Sequence, residues 1–436
     1  MQIIENKLID EKIYKETLDN GMKILIVPKP ETSKKYIIWG TKFGSIDNHF
    51  IEPKTNKEIK VPDGVAHYLE HKMFEQKSGV DSLYTMMALG LNANAYTTND
   101  HTAYLFSGID NFYKGLDELM DYVQNPYFTD ENVEKERGII GQEIQLYDDE
   151  PFWKLYLNTM KCLYKVNGIR LDVAGTIETI SHITKEILYS CYNTFYNPAN
   201  MTMCISGNFK PEEIIEEVKK RLLPHEKISE IKRIYPKEGD EINQKLIKTN
   251  MDVNMPLFMI GYRVNNKKEK EILKNDKNQY SKEMTKKDIA IRIILNSIIG
   301  KCSETYQDLY NKGLLTKELN FDFEFSDEYA HVIIDGESKE VEKIYERIIK
   351  DLQNKQINQE EVERAKKVLY GDLVSEFGDV ENIGRMLLTN EIKNINVMDY
   401  IDEISNIDIN YVEKIRKEIF DSDKSVLSIV RKENTL

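Results

Sequence analysis

The stretch from Val61 to Glu75 reads VPDGVAHYLEHKMFE and contains His67, Glu70 and His71. Positions i, i+3 and i+4 of a helix lie on one face, so these three side chains are expected to project together. Two imidazoles at this spacing can hold one divalent metal ion, with a carboxylate beside the open coordination position. The alternative is an ordinary helix with a solvated polar face. Because the chain has only seven histidines in 436 residues, we favour the metal site.

A catalytic zinc ion takes three protein ligands and leaves its fourth position for water. The order H-x-x-E-H is that of the inverted zinc-peptidase motif, so a third ligand is expected elsewhere in the chain. The segment from Val133, VEKERGIIGQEIQLYDDE, predicts a helix that carries Glu136 and Glu143 two turns apart on one face. From the spacing alone, either glutamate could bind the metal while the other supports a ligand. Glutamates on a helix are also common without a metal in an acidic chain.

The composition is that of a soluble globular protein, with 41% hydrophobic and 31% charged residues. The length of 436 residues predicts two or more domains. The formal net charge of −14 argues against a general binder of nucleic acid or of anionic membranes, because both would repel the chain. We therefore expect neither nucleic acid nor membrane as a partner.

The N-terminal residues contain no apolar core of a secretory signal, and no later segment is long enough to span a bilayer. The cysteines show no C-x-x-C spacing, so we expect buried free thiols, not disulfides or metal ligands; they are Cys162, Cys191, Cys204 and Cys302. These features favour a reducing cytoplasm. The Lys-rich stretch that begins at Asn265 predicts a solvated, mobile insertion.

Alternating apolar residues on either side of Asp19-Asn20-Gly21 predict a β-hairpin with a tight turn. YIIWGTKFGS, from Tyr36, predicts another strand, and the segment from Pro62 opens a helix with Asp63 as an N-cap candidate. Strands come in hairpins and helices cluster between them. This order predicts an α+β fold with largely antiparallel sheets packed with helices.

The two halves of the chain are weak copies of each other. The segment from Val133 matches VERAKKVLYGDLVSEFGD, from Val362, in its pattern. A repeat of about two hundred residues indicates duplicated domains, not a solenoid. The charged, Pro-containing stretch 224–241 is the expected boundary, which gives a zinc-binding domain at 1–230 and a homologous domain at 240–436. The second half lacks H-x-x-E-H, so we expect it to be non-catalytic.

The motif H-Y-L-E-H at 67–71, followed by Glu136 and Glu143, resembles the pitrilysin/insulinase family of zinc metallopeptidases, which includes the mitochondrial processing peptidases. DNGMKILIVP, GLNANAYTTNDHTAYLF and FYNPANMTMCISGNF agree with that family, most closely with a small bacterial branch. The resemblance covers nearly all of the first half and fits the second half more loosely. It implies two homologous domains that form one half of a clam-shell.

Carried onto this chain, the resemblance implies one zinc ion held by His67, His71 and Glu143. It makes Glu70 the general base, which takes a proton from the attacking water and returns it to the leaving amine. Glu136 becomes the carboxylate that supports a zinc ligand.

The resemblance also implies a strand that holds substrate beside the metal. It comprises Asn94, Ala95, Tyr96 and Thr97. An extended peptide would add to this edge strand through main-chain hydrogen bonds, and side-chain pockets would supply what preference there is. The alternative is an ordinary edge strand.

In the family, the non-catalytic domain carries an arginine and, seven residues later, a tyrosine that reach the substrate near the zinc. Here Tyr310 stands in place of the arginine, and Thr316 or a neighbour in place of the tyrosine.

From the motif and the resemblance together, we expect a cytoplasmic zinc endopeptidase that cleaves peptides or small unfolded proteins. A homologous second subunit, or else a second copy of this chain, would supply the missing pair.

The main alternative is a non-catalytic assembly or scaffold subunit that retains the motif. The presence of His67, Glu70, His71 and Glu143 together argues against it, because the chemistry needs all four. A purely structural zinc site is disfavoured because such sites are closed by four ligands and are rich in cysteine, and no cysteine lies near the motif.

Overall fold

A computed structural model describes residues 1–433 of the chain. The strands in this range are β1 (Gln2–Asn6), β2 (Glu11–Thr17), β3 (Lys23–Pro28), β4 (Lys35–Thr41), β5 (His49–Ile51), β6 (Glu58–Lys60), β7 (Asn92–Thr97), β8 (Thr102–Gly108), β9 (Met201–Gly207), β10 (Lys232–Arg233), β11 (Leu246–Asn250), β12 (Leu257–Arg263), β13 (Asn320–Phe325), β14 (Ala330–Glu337) and β15 (Ser425–Arg431).

The α-helices are α1 (Val65–Lys72), α2 (Ser82–Ala88), α3 (Phe112–Gln124), α4 (Asp130–Asp148), α5 (Pro151–Leu163), α6 (Ile177–Ser181), α7 (Lys185–Phe195), α8 (Pro211–Arg221), α9 (Lys267–Asn275), α10 (Lys277–Ile298), α11 (Glu304–Asn311), α12 (Val341–Asn354), α13 (Gln359–Glu376), α14 (Val380–Ile392), α15 (Met398–Asn406) and α16 (Ile409–Ile419). Short 3₁₀ turns occupy Gly168–Arg170, Pro198–Asn200 and Ser422–Lys424. Across residues 1–433, no helix is long and apolar enough to cross a membrane.

The chain folds into two compact units, and each takes a segment from the other half of the sequence. The first unit comprises 1–144, 172–235 and 374–393, and the second comprises 145–171, 236–373 and 394–436. The change of unit after Tyr235 falls within the stretch 224–241. The predicted division into 1–230 and 240–436 does not account for two segments. Residues 145–171 belong to the second unit, and residues 374–393 belong to the first.

The first unit is built on a seven-stranded sheet with the order β1-β2-β3-β9-β4-β8-β7. The hairpin predicted around Asp19-Asn20-Gly21 is confirmed by the antiparallel pair β2 and β3. The pair β3 and β9 is parallel, whereas the other neighbours in this sheet are antiparallel. A small three-stranded sheet, β10-β5-β6, belongs to the same unit.

Helix α14, from the C-terminal half of the sequence, packs against β4 and β9 of this seven-stranded sheet. The approach is close because Gly384 has no side chain. A Cβ atom at that position would lie 2.3 Å from the ring of Tyr36.

The second unit is built on a five-stranded sheet with the order β11-β15-β12-β14-β13. The pair β11 and β15 is parallel, and the remaining pairs are antiparallel. Helix α5, from the N-terminal half of the sequence, packs against β12 and β15. Both sheets are therefore largely antiparallel and packed with helices, which confirms the predicted α+β class.

Two local predictions were wrong. The stretch from Asn265 is not a solvated insertion throughout, because it forms α9 and the start of α10, where Tyr280 is only 2% exposed. Asp63 does not cap α1: Gly64 takes the N-cap position, and the Asp63 carboxylate accepts a hydrogen bond from Asn48 instead. The cysteines are free as predicted, although Cys302 is exposed and not buried.

Candidate metal centre

Helix α1 is held by one buried face, which leaves the opposite face to the motif. Val65, Ala66 and Leu69 are buried in the core of the first unit. The helix begins at Gly64 with φ of 92°, and a Cβ there would lie 2.4 Å from the carbonyl oxygen of Ala174. Only glycine fits both demands. The hydroxyl of Tyr68 donates a hydrogen bond to a backbone carbonyl in α4 and so ties the two helices together.

The predicted ligands come together at one point. Nε2 of His67 lies 3.7 Å from Oε2 of Glu143, and Nε2 of His71 lies 3.4 Å from the same oxygen. The candidate ligand atoms of these three residues all fall within 4.8 Å of one another.

The donor set fits a zinc ion. Zinc bonds of about 2.0–2.1 Å in a tetrahedron separate neighbouring ligand atoms by about 3.3 Å, close to the two distances to Glu143. Two imidazole nitrogens and one carboxylate oxygen are also a ligand set of catalytic zinc sites, which leave a fourth position for water. His67, His71 and Glu143 could therefore hold one zinc ion with little rearrangement.

Glu136 supports His71 from the side away from the ligand cluster. Its Oε1 lies 3.1 Å from Nδ1 of His71, and its carboxylate is 12% exposed. Burial lowers the pKa of His71, but hydrogen bonds to Glu136 and Glu143 outweigh it and raise that pKa to about 10. Burial raises the pKa of Glu136, whereas the bond from His71 and the charge of Lys72 bring it below its usual value. The hydrogen bond to Glu136 favours a proton on Nδ1 of His71, and Nε2 faces the cluster.

His67 lacks a comparable support. Its Nδ1 is buried and, within residues 1–433, has no hydrogen-bond partner. Burial, together with the nearby His71, lowers the pKa of His67 to about 4. The imidazole of His67 is thus favoured in its neutral form, the form that binds a metal.

Glu70 lies beside the ligands, and its side chain is held by the neighbouring strand β7. The hydroxyl of Thr97 donates a 2.5 Å hydrogen bond to Oε2 of Glu70. Glu70 is 7% exposed. Burial raises the pKa of Glu70 to about 7, against the opposing effects of the Thr97 bond and of His71. A carboxylate with a pKa near neutrality is suited to general base catalysis.

The predicted substrate strand is β7, which lies at the edge of the seven-stranded sheet and pairs with β8 alone among the described strands. The side chains of its four residues do different things. Asn94 is exposed and Ala95 is partly buried, whereas Thr97 contacts Glu70. Tyr96 contacts other groups: its ring lies 5.5 Å from the guanidinium carbon of Arg385 in α14. What the four residues share is a place on the edge strand of the sheet.

The structure adds two contacts that the sequence motif did not indicate. One is the hydrogen bond from Thr97 to Glu70, which joins residues far apart in the chain. The other is the burial of Lys72 beside Glu136. The burial of Lys72 could have been inferred from the sequence. Lys72 continues the buried face of α1 at helical spacing, where an apolar residue is expected.

Known proteins similar to this chain include zinc peptidases. Residues 56–173 match the family model described as Insulinase (Peptidase family M16), and residues 182–369 match the one described as Peptidase M16 inactive domain. The protein named "Uncharacterized zinc protease YmfH" of Bacillus subtilis is 36% identical over 436 residues, which is 98% of this chain and 99% of that one.

Two further proteins share the fold or part of the sequence. A crystal structure of an M16-like peptidase from Alicyclobacillus acidocaldarius superimposes with a TM-score of 0.89 at 29% identity, covering 99% of this chain and 100% of that one. The Arabidopsis thaliana protein named "Probable mitochondrial-processing peptidase subunit beta" is 28% identical over 216 residues, 47% of this chain and 37% of that one. The near-complete match to the Bacillus protein and the two family models establish that this chain belongs to the pitrilysin/insulinase family, peptidase family M16.

Proposed function

We propose that this chain is a zinc-dependent endopeptidase and the metal-bearing subunit of a two-chain enzyme. The observation that carries the proposal is the convergence of His67, His71 and Glu143 on one point, with Glu70 on the same helix as the histidines. The names of the relatives, which include zinc proteases, support it.

In this proposal each residue has a separate task. His67, His71 and Glu143 would hold a zinc ion, which would supply an activated water and polarise the peptide carbonyl. Glu70 accepts the proton of the attacking water and passes it to the leaving amine. The hydroxyl of Thr97 fixes the carboxylate of Glu70 in position through its hydrogen bond.

The substrate is an extended peptide. The free edge of β7 offers backbone N–H and C=O groups that an extended chain can pair with, largely regardless of its sequence. A folded protein cannot present a strand in this way, so peptides and unfolded segments are the favoured class. Asn94 and Ala95 lie where such a chain would run.

A second subunit is part of the proposal because the second unit lacks a clamping pair. Tyr310 is 51% exposed, and Thr316 is also exposed. The segment 303–319 contains no arginine. The match to a protein named as a peptidase subunit supports an enzyme of two homologous chains.

The other candidate function is a non-catalytic assembly subunit. The match of residues 182–369 to the model of an inactive domain favours it for that part of the chain. The first part keeps the complete set of His67, Glu70, His71 and Glu143, for which an assembly role alone gives no reason.

The first test is metal content. The purified chain is expected to carry about one zinc ion, and Glu143→Gln should bind it far more weakly because an amide is a poor zinc ligand. Glu136→Gln, a matched control on the same helix, should lose less, about 10–100-fold in affinity, because it acts through His71. Elemental analysis and competition with a chelator measure both. Full zinc occupancy in Glu143→Gln would reject this residue as the third ligand.

A second test concerns the contact between β7 and Glu70. Thr97→Val removes the hydroxyl and keeps the shape, so kcat should fall roughly tenfold, from about 1.5 kcal/mol for a hydrogen bond to a charged group. Zinc content should not change. Thr97→Ser, which keeps the hydroxyl, is the control and should retain most activity. Equal rates for the valine and serine variants, measured on one peptide with the assembled enzyme, would show that the bond has no catalytic role.

A further inference from the structure

Lys72 occupies a place in α1 where an apolar residue is expected. Val65, Tyr68, Leu69 and Lys72 follow one another at helical spacing, and the first three pack in the hydrophobic core. The side chain of Lys72 is 0% exposed. A buried ammonium group is costly unless it is paired, so its partners indicate what it is there for.

Two carboxylates contact the ammonium group. Nζ of Lys72 lies 2.5 Å from Oε2 of Glu75 and 3.8 Å from Oε2 of Glu136. The other oxygen of Glu136, Oε1, is the one that faces Nδ1 of His71. Glu136 therefore bridges a buried cation and a predicted zinc ligand.

The position of this bridge is important because, within residues 1–433, Glu136 is the one hydrogen-bond partner at an Nδ1 atom of the two histidines. Within residues 1–433, Nδ1 of His67 has no hydrogen-bond partner. A carboxylate behind a metal-bound histidine fixes the ring and its tautomer, and its loss commonly weakens metal binding about 10–100-fold. Anything that orients Glu136 thus acts on the metal site through His71.

We propose that Lys72 is a positioning residue of the metal centre, which holds Glu136 against His71 and so strengthens zinc binding. The proposal rests on the proposed zinc site. Within residues 1–433, the ion pairs of Lys72 are with Glu75 and Glu136 and not with Glu143, so its action on the site runs through the Glu136 carboxylate. The competing explanation is a purely structural ion pair with Glu75, three residues further along the chain.

The test is a double-mutant cycle on zinc affinity, measured by competition with a chelator in solution. Lys72→Met keeps the length of the side chain and removes the charge, and should weaken zinc binding about tenfold. In the Glu136→Gln background the same change should have almost no further effect, because the path through Glu136 is already gone. Glu75→Gln changes the nearer partner of Lys72 and keeps the Glu136 carboxylate, and it should leave affinity close to that of the wild type.

Thermal unfolding of each variant separates an effect on the metal site from an effect on stability. A purely structural ion pair between Lys72 and Glu75 would lower the melting temperature of Lys72→Met and of Glu75→Gln alike. It would not change zinc affinity. If Lys72→Met does not fold, Lys72→Gln takes its place in the cycle. Wild-type affinity in the Lys72 variant, or effects that add fully in the double variant, would overturn the proposal. A wild-type chain that binds no zinc would instead reject the proposed function.

Discussion

Exchanging Glu70 for glutamine is expected to reduce peptide hydrolysis by about 10²–10⁴-fold while zinc stays bound. The amide has nearly the same shape as the carboxylate, but it cannot take the proton of the attacking water. Because Glu70 is not one of the three converging ligands, the metal site should survive the change. Hydrolysis of an internally quenched peptide by the assembled enzyme and elemental zinc analysis of the same sample measure the two quantities.

Glu75→Gln is a matched control for this experiment. Glu75 follows the same helix and its side chain is 30% exposed, but it is not among the converging ligands. It should keep near wild-type hydrolysis. A Glu70→Gln variant that cleaved as fast as this control would remove Glu70 from the mechanism and leave the assembly-subunit alternative as the better account.

Addition of a homologous partner chain that carries the arginine and tyrosine pair is expected to raise hydrolysis by on the order of a hundredfold or more. Removal of a single group that stabilises the transition state commonly costs this much, and the family resemblance puts Tyr310, and Thr316 or a neighbour, at the matching positions. Size-exclusion chromatography should show a 1:1 complex. Rates are measured for each chain alone and for the mixture with one extended peptide.

The control for this result is a partner from which both the arginine and the tyrosine have been removed. It should still form the complex and should not raise the rate. If this chain alone, verified free of any partner, hydrolyses the peptide as fast as the mixture, then the two-chain proposal is wrong. A second copy of this chain would be supported instead if activity rose with its own concentration.

The local part of the site could be predicted from the sequence because it depends on helical spacing. His67 and His71 are one turn apart on α1, and Glu136 and Glu143 are two turns apart on α4, so each pair was expected to share a face. That α1 and α4 lie side by side was not contained in the spacing. It came from the family resemblance, and the hydrogen bond from Tyr68 to α4 supplies its physical basis.

What the sequence did not indicate are contacts made over long distances in the chain. The bond between Thr97 and Glu70 requires the edge of the sheet to meet α1, and no periodicity encodes that meeting. Asp63 is a good N-cap by residue type, but the tight approach of Ala174 admits only Gly64 at that position. Tertiary packing determines both the Thr97–Glu70 contact and the residue at the N-cap of α1.

The exchange of helices was also beyond prediction, because an amphipathic pattern identifies a buried face but not the sheet that covers it. Helices α5 and α14 each follow the long helix of their own half, α4 and α13. Each then packs on a sheet whose strands come mainly from the other half of the sequence. Equal patterns in the two halves gave no sign of this crossing.

That crossing has the form of a domain swap made permanent within one chain. If an ancestral half once existed as two separate copies, exchange of their equivalent helices would have produced a domain-swapped dimer. Gene fusion would then have preserved the exchange within one chain. The two halves could then drift apart in sequence and in chemistry, but neither could be discarded, since each still carries the helix that covers its neighbour. The absence of the H-x-x-E-H motif from the second half is thus compatible with a structural role for that half, which supplies α14 to the first unit.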